Sequence, residues 1–304
     1  MIGDLGASVD SPTERRNPDT VDLDLLPTLD LVKRITAEDE RVVAAVAAAT
    51  EQIGAAVDLA VAAIRSGGRV HYVGAGTSGR LAVMDAAELG PTYGVGEEWF
   101  VAHHAGGSSA VERAVENAED DESSAAAELA GLSARDLVLG LTASGRTPYV
   151  GAALRLGRDS GAGTVLVTAN PRSPLRAHAD VAIVCDTGPE VVAGSTRMKA
   201  GTAQKLVLNT FSTAVMVRLG RTWSNLMITM KAVNTKLRGR SVTMLRQATD
   251  RSDEECAAVL ARCDGELPTA LVCLLTDVDP GAARRALAAS DGVVRQAVEA
   301  LRTS

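Results

Sequence analysis

Apolar residues along this chain recur with two different periods. From about Ala37 to Arg65 they return every three or four positions in an Ala- and Val-rich run, the spacing of an amphipathic helix. Thr36-x-x-Asp39 resembles a capping box at its start, with Asp in place of the usual Glu or Gln, and Ser66-Gly67-Gly68 ends it. Short strand-like runs follow at Arg69–Val73, Glu98–Ala102, Leu137–Leu141, Thr164–Val167 and Val181–Cys185, most of them separated by helical patterns. Apolar strands spaced by helices predict βαβ units and a parallel sheet covered on both faces. With right-handed crossovers this is an α/β fold, a doubly wound three-layer α/β/α sandwich on a five-stranded parallel sheet.

Beyond Cys185 the period is helical throughout. It predicts helices over Lys199–Arg218 and Ser224–Arg238, a break at Gly239, and then several short helices, one opened by a capping box at Ser252-Asp-Glu-Glu255. The expected organisation is a polar arm over 1–36 carrying Pro12 and Pro18, an α/β domain with flanking helices over 37–239, and a small all-helical subdomain over 240–304.

Composition narrows the chemistry. The 304 residues are 46% hydrophobic and 23% charged, as in a globular protein, and no apolar run is long enough to span a bilayer. The first twenty residues carry Asp4, Asp10, Glu14, Arg15, Arg16 and Asp19, unlike a signal peptide, so a cytoplasmic protein with no membrane partner is expected. A net charge of −7 speaks against nucleic acid. Cys185, Cys256, Cys263 and Cys273 form no C-x-x-C pair and read as buried reduced thiols. His71, His103, His104 and His178 have no metal-ligand spacing, so no metal is expected.

Gly74-Ala-Gly76-Thr-Ser-Gly79 satisfies the G-x-G-x-x-G dinucleotide pattern. That reading also needs an acidic residue at the end of the second strand, where the chain instead has Val101-Ala-His103-His104. A second corner counts against it too. Gly140-Leu-Thr-Ala-Ser144-Gly145-Arg146 repeats G-x-x-x-S-G-R after the third strand, with Pro148 at the first helical position. Two strand–loop–helix corners rich in hydroxyls, at helix N-termini, suit a phosphate monoester. Gly76, Thr77, Ser78, Ser144, Gly145, Arg146 and Thr147 are the candidate phosphate-binding residues. Ser195, Thr196, Arg197 and Lys199, opening a later helix, are candidate sugar, phosphate or carboxylate contacts, against a plain reading as helix cap and surface charge.

The two corners resemble the sugar isomerase (SIS) domain. The longer stretches "TERRNPDT" (Thr13–Thr20), "GAGTSGRLAVMDAAELGPTYG" (Gly74–Gly94), "AVENAED" (Ala114–Asp120), "ASGRTPYV" (Ala143–Val150), "GSTRMKAGTAQKLVLN" (Gly194–Asn209) and "NLMITMKAVNTKLRGR" (Asn225–Arg240) resemble the N-acetylmuramic acid 6-phosphate etherases, over essentially the whole chain. The resemblance implies the SIS fold, a homodimer, a helical C-terminal bundle of the ubiquitin-associated type, and an amino-sugar phosphate as ligand. It implies a carbon–oxygen lyase that removes D-lactate from C3 of the sugar with no cofactor. In the open-chain sugar the C2–H is acidic beside the aldehyde. The lactyl oxygen leaves from C3, and water adds back.

That chemistry needs two acid/base groups. The resemblance implies Glu88 as proton donor to the lactyl oxygen and Glu119 as the second group, taking the C2 proton. The residues themselves are equally compatible with the reverse division, or with one carboxylate serving both steps. A donor near pH 7 calls for an apolar setting, expected for Glu88 beside Leu89 and Pro91. Without the resemblance, Glu119 is one acid in a solvated run from Glu116 to Glu122. The arm carrying Glu14 to Asn17 either closes over a neighbouring subunit's site or is merely structural. Two other readings stay open on this fold: a non-catalytic sugar-phosphate sensor of the glucokinase-regulatory kind, and an aldose–ketose isomerase.

Overall fold

The computed structural model describes residues 11–113, 115–229 and 235–303. Five parallel strands form the sheet: β1 (Val70–Gly74), β2 (Phe100–His104), β3 (Leu137–Leu141), β4 (Gly163–Thr168) and β5 (Val181–Val184), in the order β2-β1-β3-β4-β5. Each strand lies within two residues of its expected run. Val70 is paired with Phe100 on one side and Leu137 on the other, so β1 and β3 are the inner strands beside the point where the strand order reverses. Every residue of β1 and β3 is buried, which is why β3 reads as a continuous apolar run and β1 as one interrupted at His71, rather than as alternating strands.

The described residues divide into two compact units. The first holds the described residues up to Ala86 together with Glu97–Ser212; the second holds Ala87–Gly96 and the residues from Thr213 onward. In the first unit α1 (Thr28–Ala47) and α2 (Thr50–Arg65) precede the sheet. Next come α3 (Gly76–Tyr93), whose last turns belong to the second unit, then α4 (Ser109–Glu112), α5 (Glu122–Glu128) and α6 (Pro148–Asp159). Val73, Val138 and Leu166 meet Tyr149, Val150 and Leu154 of α6 and Ala125 of α5. Fully burying such side chains contributes roughly 1.5–3 kcal/mol each. Strand β1 also turns Tyr72 toward Phe211 of α7 (Lys199–Arg218) and gives its hydroxyl proton to Asp85 of α3 at 3.0 Å.

The second unit is built on a short antiparallel hairpin, β6 (Thr222–Trp223) and β7 (Leu226–Met227), and on α8 (Thr235–Thr249), α9 (Asp253–Arg262), α10 (Leu267–Thr276), α11 (Pro280–Ala289) and α12 (Val294–Thr303). Leu245, Cys256, Leu267, Leu271, Ala283 and Val298 are among its core. The expected capping box is present: Ser252 Oγ accepts from Glu255 N at 3.2 Å, and Glu255 Oε2 accepts from Ser252 N at 3.1 Å. All four cysteines are buried free thiols.

Four local expectations are corrected. The helix expected from Ala37 to Arg65 is two helices, broken at Ala48 and Ala49, and the first begins at Thr28. Thr36 is therefore no cap: its hydroxyl donates back to the Val32 and Lys33 carbonyls inside α1, where hydroxyl side chains satisfy themselves on the preceding turn. The helix expected over Ser224–Arg238 is instead the β6–β7 hairpin followed by the start of α8, with residues 230–234 outside the described residues. Ser224 sits at φ 52 in the hairpin turn, a conformation no helix contains. Gly239, expected as a break, lies within α8. Among the described residues no single helix is long and apolar enough to cross a membrane.

Candidate active site

The loops after β1 and β3 leave the carboxyl ends of adjacent strands at the reversal point, the position where open α/β sheets hold ligands. The sequence repeat therefore becomes a spatial pair. In the first loop α3 begins at Gly76 itself, so Thr77, Ser78 and Gly79 are helical. A Cβ on Gly79 would stand 2.6 Å from both the Gly74 carbonyl oxygen and the His104 ring. The third glycine of the pattern thus serves close helix–strand packing. Gly76 is exposed, Thr77 half-buried and Ser78 buried, with Ser78 Oγ donating to Gln204 Oε1 of α7 at 2.8 Å.

The second loop is held by short-range bonds. Thr142 Oγ1 pairs with Thr147 Oγ1 at 2.8 Å and accepts from Gly145 N at 3.1 Å. Ser144 Oγ accepts from Arg146 N at 3.3 Å. Asn170 Nδ2 and Ser173 Oγ donate to the Ser144 and Gly145 carbonyls at 2.8 and 2.7 Å. Ser144 and Thr147 are half-buried, and Arg146 is exposed.

Beside the first loop lies a cavity of about 200 Å3, bounded by Gly76, Arg80, His104, Asn117 and Glu119. Glu119 is exposed, on the short 3-10 turn Ala118–Asp120, entered through Asn117 at φ 61. Arg80 holds the approach to that turn: Nε donates to the Val111 carbonyl at 2.8 Å and Nη2 to that of Ala110 at 3.0 Å. Arg80 borders the cavity though the resemblance did not single it out; the repeat of Ser-Gly-Arg at 78–80 and 144–146 was a signal. His104 is buried here, with Nδ1 2.8 Å from the Ala105 carbonyl oxygen and Nε2 3.2 Å from that of Gly76.

His103 points elsewhere. Its Nε2 lies 3.0 Å from His71 Nδ1 and its Nδ1 lies 3.4 Å from Glu128 Oε2, which also accepts from Tyr149 Oη at 2.7 Å. Burial, together with the neighbouring His103, lowers His71 to about 4. Burial likewise holds His103 below its usual value, against the pull of Glu128.

Lys199 is fully buried and ion-paired to Glu38 Oε2 of α1 at 2.5 Å; Asn17 Nδ2 donates to the same oxygen at 2.9 Å. Its charge is thus already matched inside the unit. Burial works to raise Glu38, but Lys199, Asn17 and Arg41 together hold it below the usual carboxylate range. Glu190 is also fully buried and accepts from the Lys199 and Ala200 amides, both at 2.9 Å, capping α7. Burial pushes Glu190 up, and those amides pull it partly back. Ser195 and Thr196 are half-buried and Arg197 is exposed on the loop before α7. The Thr13–Thr20 arm lies along that loop in its own chain: Gly194 N donates to the Thr13 carbonyl and Thr20 Oγ1 to that of Val191.

The apolar setting expected for Glu88 is not found: Glu88 belongs to the second unit and is exposed on α3. Among the described residues no group of three or more His, Cys, Asp or Glu side chains is placed to hold a metal ion.

Comparison with known proteins agrees with the corners. A family model described as the glucokinase regulatory protein N-terminal SIS domain matches residues 52–158, and one described as the SIS domain matches residues 113–214. A putative phosphosugar isomerase involved in capsule formation from Bacteroides fragilis superposes with a TM-score of 0.50 at 23% identity, over 63% of this chain and 91% of that one. A putative sugar-phosphate isomerase from Listeria monocytogenes also superposes with a TM-score of 0.50, at 17% identity, over 64% of this chain and 91% of that one. Both show the fold. The sequence relatives are nearer. N-acetylmuramic acid 6-phosphate etherase of Thermobifida fusca is 60% identical over 268 residues, 88% of each chain. That of Salmonella enteritidis PT4 is 50% identical over 289 residues, 94% of this chain and 97% of the relative. With most of its length matched at that level, and both corners of the SIS fold in place, the chain belongs to the N-acetylmuramic acid 6-phosphate etherase family.

Proposed function

We propose that this chain cleaves the D-lactyl ether of N-acetylmuramic acid 6-phosphate, giving N-acetylglucosamine 6-phosphate and D-lactate. The observation that carries this reading is the cavity between the segments that follow β1 and β2. There Gly76, at the start of α3, and Glu119 border one space. The first-turn amides and the Thr77 and Ser78 hydroxyls hold the 6-phosphate at the N-terminus of α3, with Ser144, Gly145, Arg146 and Thr147 of the twin loop as further donors. Ser195 and Thr196 supply additional polar contacts.

Glu119, exposed on its turn, takes the C2 proton of the open-chain sugar. Electrons pass through the enolate and expel the lactyl oxygen from C3, which leaves with a proton from Glu88. Water then adds at C3. The Glu88 assignment rests on its motif, "MDAAELGPTYG". Lys199 acts from behind, by holding α1 and α7 together through Glu38. The enzyme works in the cytoplasm as a homodimer. Leu25, Leu29, Val32 and Val43, all exposed on or beside α1, are the apolar surface for a second copy.

Folded protein incubated with N-acetylmuramic acid 6-phosphate should release D-lactate; none would end this reading. In heavy-oxygen water the label should appear on C3 of the product sugar, and label in lactate alone would exclude elimination. A Glu88→Ala variant with the wild-type rate would remove Glu88 from the mechanism.

A further inference from the structure

The helix after the GSTRM loop carries a buried amide that the reading above does not use. Gln204 lies on the second turn of α7 and is 3% exposed. That end of α7 is set close against the first turn of α3, for a Cβ on Gly201 would stand 3.3 Å from Thr77 Cγ2. Gln204 Oε1 accepts from Ser78 Oγ at 2.8 Å, while its Nε2 is buried without a hydrogen-bond partner. Nε2 is only about 2.2 Å from Oε1 by amide geometry, so the unspent donor lies within about 5 Å of Ser78 Oγ.

The donor count does not depend on which way the amide faces. As it stands, Ser78 spends its proton on Oε1 and both N–H groups of Gln204 are left over. Turned by half a revolution, Nε2 gives one N–H to Ser78 Oγ, and the other N–H and the Ser78 O–H are left over. Either way the pair holds two donors with nothing to accept them, in a place where water is excluded. Buried donors without acceptors are rare, and each one calls for an explanation.

We infer that Gln204 is a positioning residue of the anion site: through Ser78 it keeps surplus donors turned toward the β1 loop for an oxyanion of the ligand. This rests on phosphate being the group held there, and it adds a third element, α7, to the two loops. Thr77 and Ser78 then meet one phosphate group with Gln204 set behind Ser78, and an unphosphorylated sugar gains nothing from the arrangement.

The test uses the full chain with Gln204→Leu and the isosteric Gln204→Glu. Binding of N-acetylglucosamine 6-phosphate and of inorganic phosphate is followed by titration calorimetry, and D-lactate release by steady-state kinetics. Gln204→Leu should weaken both ligands and raise KM by about 10- to 100-fold, the range for a hydrogen bond to a charged group, with kcat within about threefold. Gln204→Glu should bind more weakly still, because it keeps the shape but replaces donors with negative charge. Should Gln204→Leu not fold, Gln204→Glu decides alone. Unchanged Kd and KM in the folded variant overturn the inference, as does a lowered Tm with unchanged KM, which marks a helix-packing role. If the wild type binds N-acetylglucosamine 6-phosphate but releases no lactate, the etherase reading fails and the Kd values still judge Gln204. If the wild type binds neither phosphate ligand, the inference falls with it.

Discussion

The two corners share the string G-x-x-x-S-G-R and little else. After β1 the helix begins two residues before Ser78, and Gly79 is helical, pressed against His104. After β3 the helix begins four residues after Ser144, at Pro148, and Gly145 takes φ +69 against Ser173 and Thr168. The first corner is tied by Ser78 to Gln204, by His104 to the Gly76 carbonyl and by Arg80 to the Ala110 and Val111 carbonyls, and leaves open space beside the Gly76 Cα. The second is laced by Thr142, Thr147, Asn170 and Ser173. One local sequence thus serves as a helical turn in one place and as a strapped loop in the other. Packing neighbours decide which. The open corner is the one that faces the cavity and Glu119.

The comparison can be broken at several points. The largest effect is expected from Glu119→Gln, which takes the carboxylate from the open corner. D-lactate release should fall about 10²–10⁴-fold with Tm unchanged. Full activity would show that the open corner is not where the proton moves.

Next come the glycines. Gly145→Ala puts a Cβ 2.4 Å from Ser173 at positive φ, and Gly79→Ala puts one 2.6 Å from the Gly74 carbonyl. Each should cost about 2–4 kcal/mol in urea unfolding. Gly76→Ala, at φ +54 but in open space, should cost only about 1 kcal/mol. Equal costs at all three would erase the difference between the corners.

The strands feeding the corners differ as well. β3 is wholly apolar, whereas β1 carries His71 against His103 of β2. Burial lowers both rings, His71 to about 4 with the help of His103. The unfolded chain takes up a proton at His71 from about pH 6.5 downward, whereas the native ring does so only near 4, so stability falls as pH drops from about 6.5 toward 4. His71 alone should account for about 2 kcal/mol between pH 7 and pH 5. Hydrogen exchange at pH 5 should quicken after β1 before it does after β3, and His71→Gln should flatten the pH dependence.

The smallest effect separates the two arginines. Arg80→Ala, losing its bonds to the Ala110 and Val111 carbonyls, should cost about 1–2 kcal/mol and lower kcat by displacing the Glu119 turn. Arg146→Ala, at an exposed position, should stay within about 0.5 kcal/mol in stability and act through KM if it meets phosphate.

Much of this molecule was legible before its structure. The five apolar runs became the five strands, because a parallel strand buried on both faces has no room for a polar alternation. Lys199–Arg218 became α7 and Ser252–Glu255 its expected cap. Both are local devices, set by residues three or four apart. The strand–helix corners were visible for the same reason, since their glycines and hydroxyls are neighbours along the chain.

What failed to show was whatever depends on partners distant in sequence. Lys199, expected at the ligand on its charge, is matched by Glu38, 161 positions away. Ser78 meets Gln204 across 126 positions, and His103 turns from the site to His71 across 32. The hairpin at 222–227 replaced an expected helix because Ser224 turns through a positive φ, and apolar spacing does not encode that. By itself, then, the sequence determined the alternation of elements, the twin loops and the family. Only the tertiary structure decided which polar group each side chain meets, because burial forces those pairings and the long-range packing of helices selects them.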